Sequence, residues 1–195
     1  MKRFIGFFLS LLCAGSACAA DTQNQKAIFA GGCFWCMQAD FASRDGVISV
    51  TSGYTGGHVE NPTYEQVSSG TTGHAEAIEV AYDPARISYE KLLEIYWDNI
   101  DPTDQGGQFA DRGTQYRTAI FVMNDEQRKL AETSKKSIEA KLKQPIATEI
   151  VAATPFYPAE EYHQDYYKKN PLNYNAYKYG SGRVSRLKEL WESPH

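Results

Sequence analysis

Cysteine is scarce in this chain of 195 residues, with four in all: Cys13, Cys18, Cys33 and Cys36. Two of them lie in an N-terminal leader, so the rest of the chain cannot build a disulfide framework. Positive charge is not in excess: 20 Lys and Arg against 24 Asp and Glu give a formal net charge of −4. That balance argues against nucleic acid or an anionic membrane as a main partner. No apolar run is long enough to span a bilayer, because the stretch over residues 4–12 falls far short of the ~20 residues a helical span needs. Linkers and internal repeats are also lacking, so the chain after the leader reads as one domain with a sizeable core.

The leader has a definite order: Met1-Lys2-Arg3, an apolar and small-residue stretch, then Ala17-Cys18-Ala19-Ala20 before a polar run from Asp21. This is the pattern of a secretory signal peptide. We expect residues 1–20 to be removed, residues 21–195 to form a single catalytic domain, and the mature chain to be a soluble monomer exported to the bacterial periplasm. A lipid anchor on Cys18 is the lesser alternative, since Gly15-Ser16-Ala17-Cys18 lacks the large aliphatic residue such sites usually carry.

Chemistry is announced by Gly31-Gly32-Cys33-Phe34-Trp35-Cys36, which follows the apolar Ala27-Ile28-Phe29-Ala30. A strand that ends in two glycines and enters a helix sets the first cysteine beside unpaired backbone N–H groups, where partial positive charge favours a thiolate. Cys33 is therefore the leading nucleophile candidate. Three readings of the Cys-x-x-Cys pair stay open here. It can be a dithiol redox site, half of a zinc site completed from His58, His74, His163 or His195, or an inert structural disulfide in an interaction module. Phe34 and Trp35 would make a small apolar wall beside the sulfur, suited to a substrate bearing a methyl or thioether.

Along the chain, Phe34, Met37 and Phe41 suggest a short helix ending near Arg44-Asp45-Gly46, and residues 47–54 read as a strand. Residues 75–82 alternate charged and apolar, the sign of a strand with one buried face, and Asp83-Pro84 closes it. Ser88 can cap a helix carrying Leu92, Leu93, Ile95, Tyr96 and Ile100. Residues 118–123 read as a strand, and Asn124 with Gln127 marks a long polar helix that ends before Pro145. The order predicts an α/β (α+β) two-layer sandwich with a split βαβ, ferredoxin-like core. Past Ile150 a loop-rich segment crowded with tyrosines follows, with residues 185–191 as a last short helix.

Three further segments are rich in groups that loops rarely need for packing: a glycine-rich loop leading to Asn61-Pro62-Thr63-Tyr64, then Gly73-His74-Ala75-Glu76, then Asp111-Arg112-Gly113-Thr114-Gln115-Tyr116-Arg117. By alternation Glu76 shares the buried face of its strand with Ile78 and Val80, where a carboxyl should hold its proton near neutral pH; at a strand end it can instead reach water. Arg112 reads as one half of a surface ion pair.

Taken together, Gly32-Cys33-Phe34-Trp35, Gly53-Tyr54 with Gly56-Gly57, Asn61-Pro62-Thr63-Tyr64, Gly73-His74-Ala75-Glu76, Asp101-Pro102-Thr103 and Gly113 with Gln115-Tyr116-Arg117 resemble the A-type peptide methionine sulfoxide reductases. The resemblance implies repair of oxidised methionine, with Cys33 attacking the sulfur of the S epimer. It also implies that Phe34 and Trp35 hold the methyl group, that Tyr64, Glu76 and Tyr116 bond the sulfoxide oxygen, and that Asp111 and His74 support the substrate. No cofactor or metal is implied. Many relatives resolve the sulfenic acid with cysteines near the C-terminus, and some carry one where Ser68 stands; this chain has neither, which leaves Cys36 as the resolving thiol and a thioredoxin-like reductant as partner. Gln38 replaces a usual glutamate, and Phe109-Ala110 a usual Gly-Asn. The runner-up activity is general thiol–disulfide exchange at Cys33 and Cys36.

Overall fold

The computed structural model describes residues 24–192. The leader with Cys13 and Cys18, the cleavage position, and His195 lie outside the described residues. The elements run β1 (Gln25–Gly31), α1 (Phe34–Ala42), β2 (Val47–Thr55), α2 (Tyr64–Ser68), β3 (Ala75–Tyr82), α3 (Tyr89–Asp98), β4 (Gly107–Gln108) and β5 (Asp111–Arg112). After a 3-10 turn over Thr114–Tyr116 come β6 (Thr118–Val122), α4 (Asp125–Leu142), β7 (Glu149–Ala152) and β8 (Tyr157–Pro158). A second 3-10 turn then leads to α5 (Tyr166–Lys169), α6 (Pro171–Gly180) and α7 (Arg183–Glu192).

The main sheet has the order β7-β6-β1-β3-β2-β8. Its middle four strands, antiparallel to one another, carry the expected split βαβ arrangement, and two edge strands extend it, β8 antiparallel to β2 and β7 parallel to β6. One face holds the larger core, where Phe29, Ile78, Val80 and Ile120 meet Phe34, Met37 and Phe41 of α1 and Leu92, Leu93 and Tyr96 of α3. Phe29 stacks at 5.4 Å on Phe41 and 5.1 Å on Tyr96. The other face is narrow, built from Ile28, Ala30, Ala75, Ala77, Ala119 and Phe121 and roofed by Val151, Ala153 and Phe156. Small residues let that roof, which is the end of β7 and the loop after it rather than a helix, lie close to the strands. Among the described residues no helix is long and apolar enough to cross a membrane.

Local signals explain most boundaries. The Ser88 and Asn124 side chains accept from the Lys91 and Gln127 N–H groups at the starts of α3 and α4. The tail is loop-rich through residue 165, as expected, with only β8 and a 3-10 turn, and then folds as three helices where one was expected. Pro171 opens α6 from its first turn, where the missing N–H costs nothing.

Candidate active site

The junction of β1 and α1 is shaped by its glycines. A Cβ at Gly31 would come within 2.6 Å of Met37 Sδ, and Gly32 sits at φ +78° with Gln108 packed against it, a place where other residues are strained. Cys33 follows as the residue before α1, and its carbonyl accepts the N–H groups of Cys36 and Met37. The next N–H, that of Phe34, donates to Glu76 Oε2 at 3.0 Å. The positive end of α1 therefore faces the Glu76 carboxyl.

That allocation corrects the expectation of a Cys33 thiolate in the resting protein. Burial pushes the Cys33 thiol well above its ordinary range, its hydrogen bond to the Cys36 sulfur adds to this, and the nearby Glu76 and Asp111 carboxyls push the same way. Both cysteines are free thiols; Cys33 is 8% exposed and Cys36 is fully enclosed in the first turn of α1.

Glu76 is 3% exposed, so it does not escape to water at the strand end. Burial raises its carboxyl to about 8; the Phe34 N–H bond opposes this, and Asp111 adds to it. The group holds its proton at neutral pH, as an acid must.

Cys33, Phe34, Trp35, Tyr64, Glu76, Asp111, Tyr116 and Tyr177 line one cavity of about 250 Å³. Tyr64 is set by the first turn of α2, whose Thr63 and Gln66 form a reciprocal cap, and by its own N–H bond to Glu160 at 2.8 Å. Burial, followed by the charge of Glu76, raises its phenol to about 12, and the Tyr116 phenol is raised for the same reasons. Both hydroxyls are protonated donors near neutral pH. A larger groove of about 490 Å³ between α3 and α4 is walled by Leu93, Trp97, Leu130 and Ile138, and neither Cys33 nor Cys36 lines it.

The structure gathers from distant elements most of the residues the sequence singled out. His74 is a correction. Its Nδ1 accepts the Gly57 N–H at 3.1 Å and its Nε2 donates to the Val59 carbonyl at 2.7 Å, so it pins the glycine-rich loop away from the cavity rather than touching substrate. Cys36 lies behind the cavity wall and not on it. Arg112 is an ion-pair residue as expected, with Asp104 as partner. Among the described residues no three His, Cys, Asp or Glu side chains cluster as metal ligands would.

Two participants escape sequence reasoning. Tyr177 of α6 donates to Asp111, and so anchors the tail on the cavity wall. His163, read only as a zinc candidate, accepts the Trp35 Nε1–H at 3.0 Å on Nδ1 and packs against Phe34 and Tyr64. Burial lowers its pKa, which keeps the ring neutral and Nδ1 free to accept. Trp35 is clamped on its other side by Tyr166, stacked at 3.7 Å and 8°. The tyrosine-rich tail was the available signal: it packs loops, but it also finishes the cavity.

The arrangement sets a nucleophilic sulfur, a neutral acid and two phenol donors around an apolar wall, which suits attack on a polarised sulfur–oxygen bond. Comparison with known proteins agrees. The family model for peptide methionine sulfoxide reductase matches residues 25–195. Peptide methionine sulfoxide reductase MsrA of Bacillus licheniformis is 59% identical over 175 residues, spanning 89% of this chain and 97% of its own. Its namesake in Bacillus subtilis is 57% identical over 171 residues, spanning 87% and 97%. Among solved structures, reduced Mxr1 from Saccharomyces cerevisiae matches with a TM-score of 0.73 at 31% identity, over 78% of this chain and 88% of that one. Methionine sulfoxide reductase A of Corynebacterium diphtheriae gives 0.69 at 33%, over 76% of each chain. The chain belongs to the peptide methionine sulfoxide reductases and is an oxidoreductase acting on methionine sulfoxide.

Proposed function

We propose that the chain reduces the S epimer of methionine sulfoxide, free or in exposed protein segments, using Cys33 as nucleophile and Glu76 as acid. The observation that carries this reading is the meeting of Cys33, a protonated Glu76, Tyr64 and Tyr116 in one small cavity walled by Phe34 and Trp35. The substrate methyl rests on the two rings and the sulfoxide oxygen faces the carboxyl and phenols, with Asp111 at the cavity edge. Cys33 attacks sulfur while Glu76 gives its proton to oxygen and regains one from the thiol. Coupling attack to this transfer lets a buried thiol with a high pKa react without a standing thiolate. Oxygen passes to Cys33 as a sulfenic acid, the substrate sulfur gains two electrons, and methionine leaves.

Cys36 then displaces the hydroxyl as water to close a Cys33–Cys36 disulfide, which a thioredoxin-like donor reduces. Support for that donor comes from Mxr1 of yeast, which has also been solved in complex with Trx2. The basic start, apolar run and small residues of the leader support export to the periplasm, and the mature enzyme acts as a monomer.

Turnover of racemic methyl p-tolyl sulfoxide with dithiothreitol tests the reading. The S enantiomer alone should be consumed, and its persistence would overturn the assignment. With a thioredoxin system, Cys36→Ser should lose multiple turnover; full turnover by that variant would remove Cys36 from the mechanism.

A further inference from the structure

Behind the cavity lies a buried charge cluster that these steps leave unused. Arg183, the first residue of α7, is 2% exposed. Its Nη2 donates to the Asn99 carbonyl at 2.5 Å and to Asp40 Oδ2 at 3.2 Å, and meets Met37 Sδ at 3.7 Å. Its Nε is buried with no hydrogen-bond partner. Asp40 stands four residues after Cys36 on α1, so the two share one face of the helix. A guanidinium that touches both Met37 and Asp40 therefore lies against the turn that holds Cys36.

Lys178 of α6 also approaches Asp40, at 3.9 Å, so two cations converge on one carboxylate. Of the two cations only Arg183 is buried, Lys178 being 32% exposed, and besides its Asp40 partner the groups whose negative charge Arg183 favours include the Cys36 sulfur and Asp111. The buried Tyr174 hydroxyl has no hydrogen-bond partner, and it lies within electrostatic reach of that sulfur.

We propose that Arg183 is a positioning residue for the resolving step: with Lys178 and Tyr174 it holds Cys36 as the thiolate that attacks the Cys33 sulfenic acid. This rests on the resolving role of Cys36 proposed above. The Cys36 thiol lies below its ordinary value, held there first by the hydrogen bond from Cys33 and then, against burial, by the Arg183 charge. Once Cys33 is oxidised to sulfenic acid its thiol hydrogen bond is gone, and the cationic cluster remains.

The groups that face Cys36 are Cys33 and Asp40 on α1, Glu76 on β3, Tyr174, Tyr177 and Lys178 on α6, and Arg183 on α7. The step balances as Cys33–SOH plus Cys36–S⁻ plus one proton giving the disulfide and water. The Cys36 sulfur is oxidised, the sulfenic sulfur is reduced, and the proton comes from solvent or Glu76.

The test is rapid mixing of the pre-reduced full chain with one equivalent of methyl p-tolyl sulfoxide over roughly pH 5 to 9, a range chosen to bracket the shifted thiol. Sulfenic acid is trapped with dimedone, and the disulfide is counted by mass. Arg183→Gln should move the pH midpoint of disulfide closure up by about one unit and slow closure about tenfold near neutrality, with recovery at high pH. Arg183→Lys should keep the low midpoint. If Arg183→Gln fails to fold, Asp40→Asn with Arg183→Gln removes the stranded carboxylate and should shift the midpoint the same way by less. An unmoved midpoint, or an equal slowing at every pH, would overturn the positioning role. Failure of the unaltered chain to form the disulfide at all would instead overturn the role of Cys36 itself, and this inference with it.

Discussion

Glu76 keeps its proton because desolvation outweighs the hydrogen bond from Phe34, with its carboxyl at about 8 against 4.5 for a free one. A pKa raised on folding contributes stability that is complete below about 4.5 and is lost as pH rises through about 8. Activity should follow the same proton, so kcat/KM should fall as pH rises through about 8. Glu76→Gln should lower kcat/KM by roughly 10²–10⁴-fold, the usual span for a lost general acid, and steady-state assays across pH will read both effects. The same variant should melt above the parent at alkaline pH, where the parent must ionise a buried carboxyl, and calorimetry at two pH values checks the sign. His163→Phe keeps a ring in place but strands the Trp35 N–H. We expect a loss of about 1–3 kcal/mol in stability, the penalty for an unpaired buried donor, and a raised KM with kcat little changed, as equilibrium unfolding and kinetics would show.

The β1–α1 junction is the element on which the chemistry depends, because it aims both Cys33 and the Phe34 N–H. Gly32→Ala would meet Gln108 Cβ at 2.6 Å in a left-handed backbone. It should cost about 1–3 kcal/mol, the usual range for forced strain of this kind, and should lower kcat more than a stability loss alone explains; thermal melting beside single-turnover rates checks this. Much of this level was legible beforehand. β3 spans the alternating segment, and α3 and α4 begin at their capping side chains, because alternation and capping are properties of adjacent residues. What was not legible is equally physical. α2 is five residues long, too short for periodicity to register, and α6 is mostly tyrosine, asparagine and lysine around one buried residue, Tyr174. Such a helix owes its stability to packing on α1 and to the Tyr177–Asp111 bond rather than to its own pattern.

At the scale of the molecule, one sheet face carries the core and the tail helices close the site from the C-terminal end. Oxidation of the enzyme by one equivalent of sulfoxide should leave the chain two hydrogens lighter, with Cys33 and Cys36 both protected from alkylation; intact mass before and after the reaction will show it. Mass of the exported chain should place its first residue at Ala20 or Asp21, and an acylated Cys18 would refute a freely soluble enzyme. The sequence by itself determined the nucleophile candidate, the aromatic wall and the strand carrying Glu76, since each is written in spacing along a few neighbouring residues, and the order of elements along the chain pointed to the ferredoxin-like core. Only the tertiary structure decided which group holds the proton and what Cys36 faces. The Glu76 carboxyl meets the Phe34 N–H across 42 residues, and His163 reaches Trp35 across 128. Desolvation and charge depend on everything that packs around a group, and so they reversed the expected Cys33 thiolate while keeping the acid.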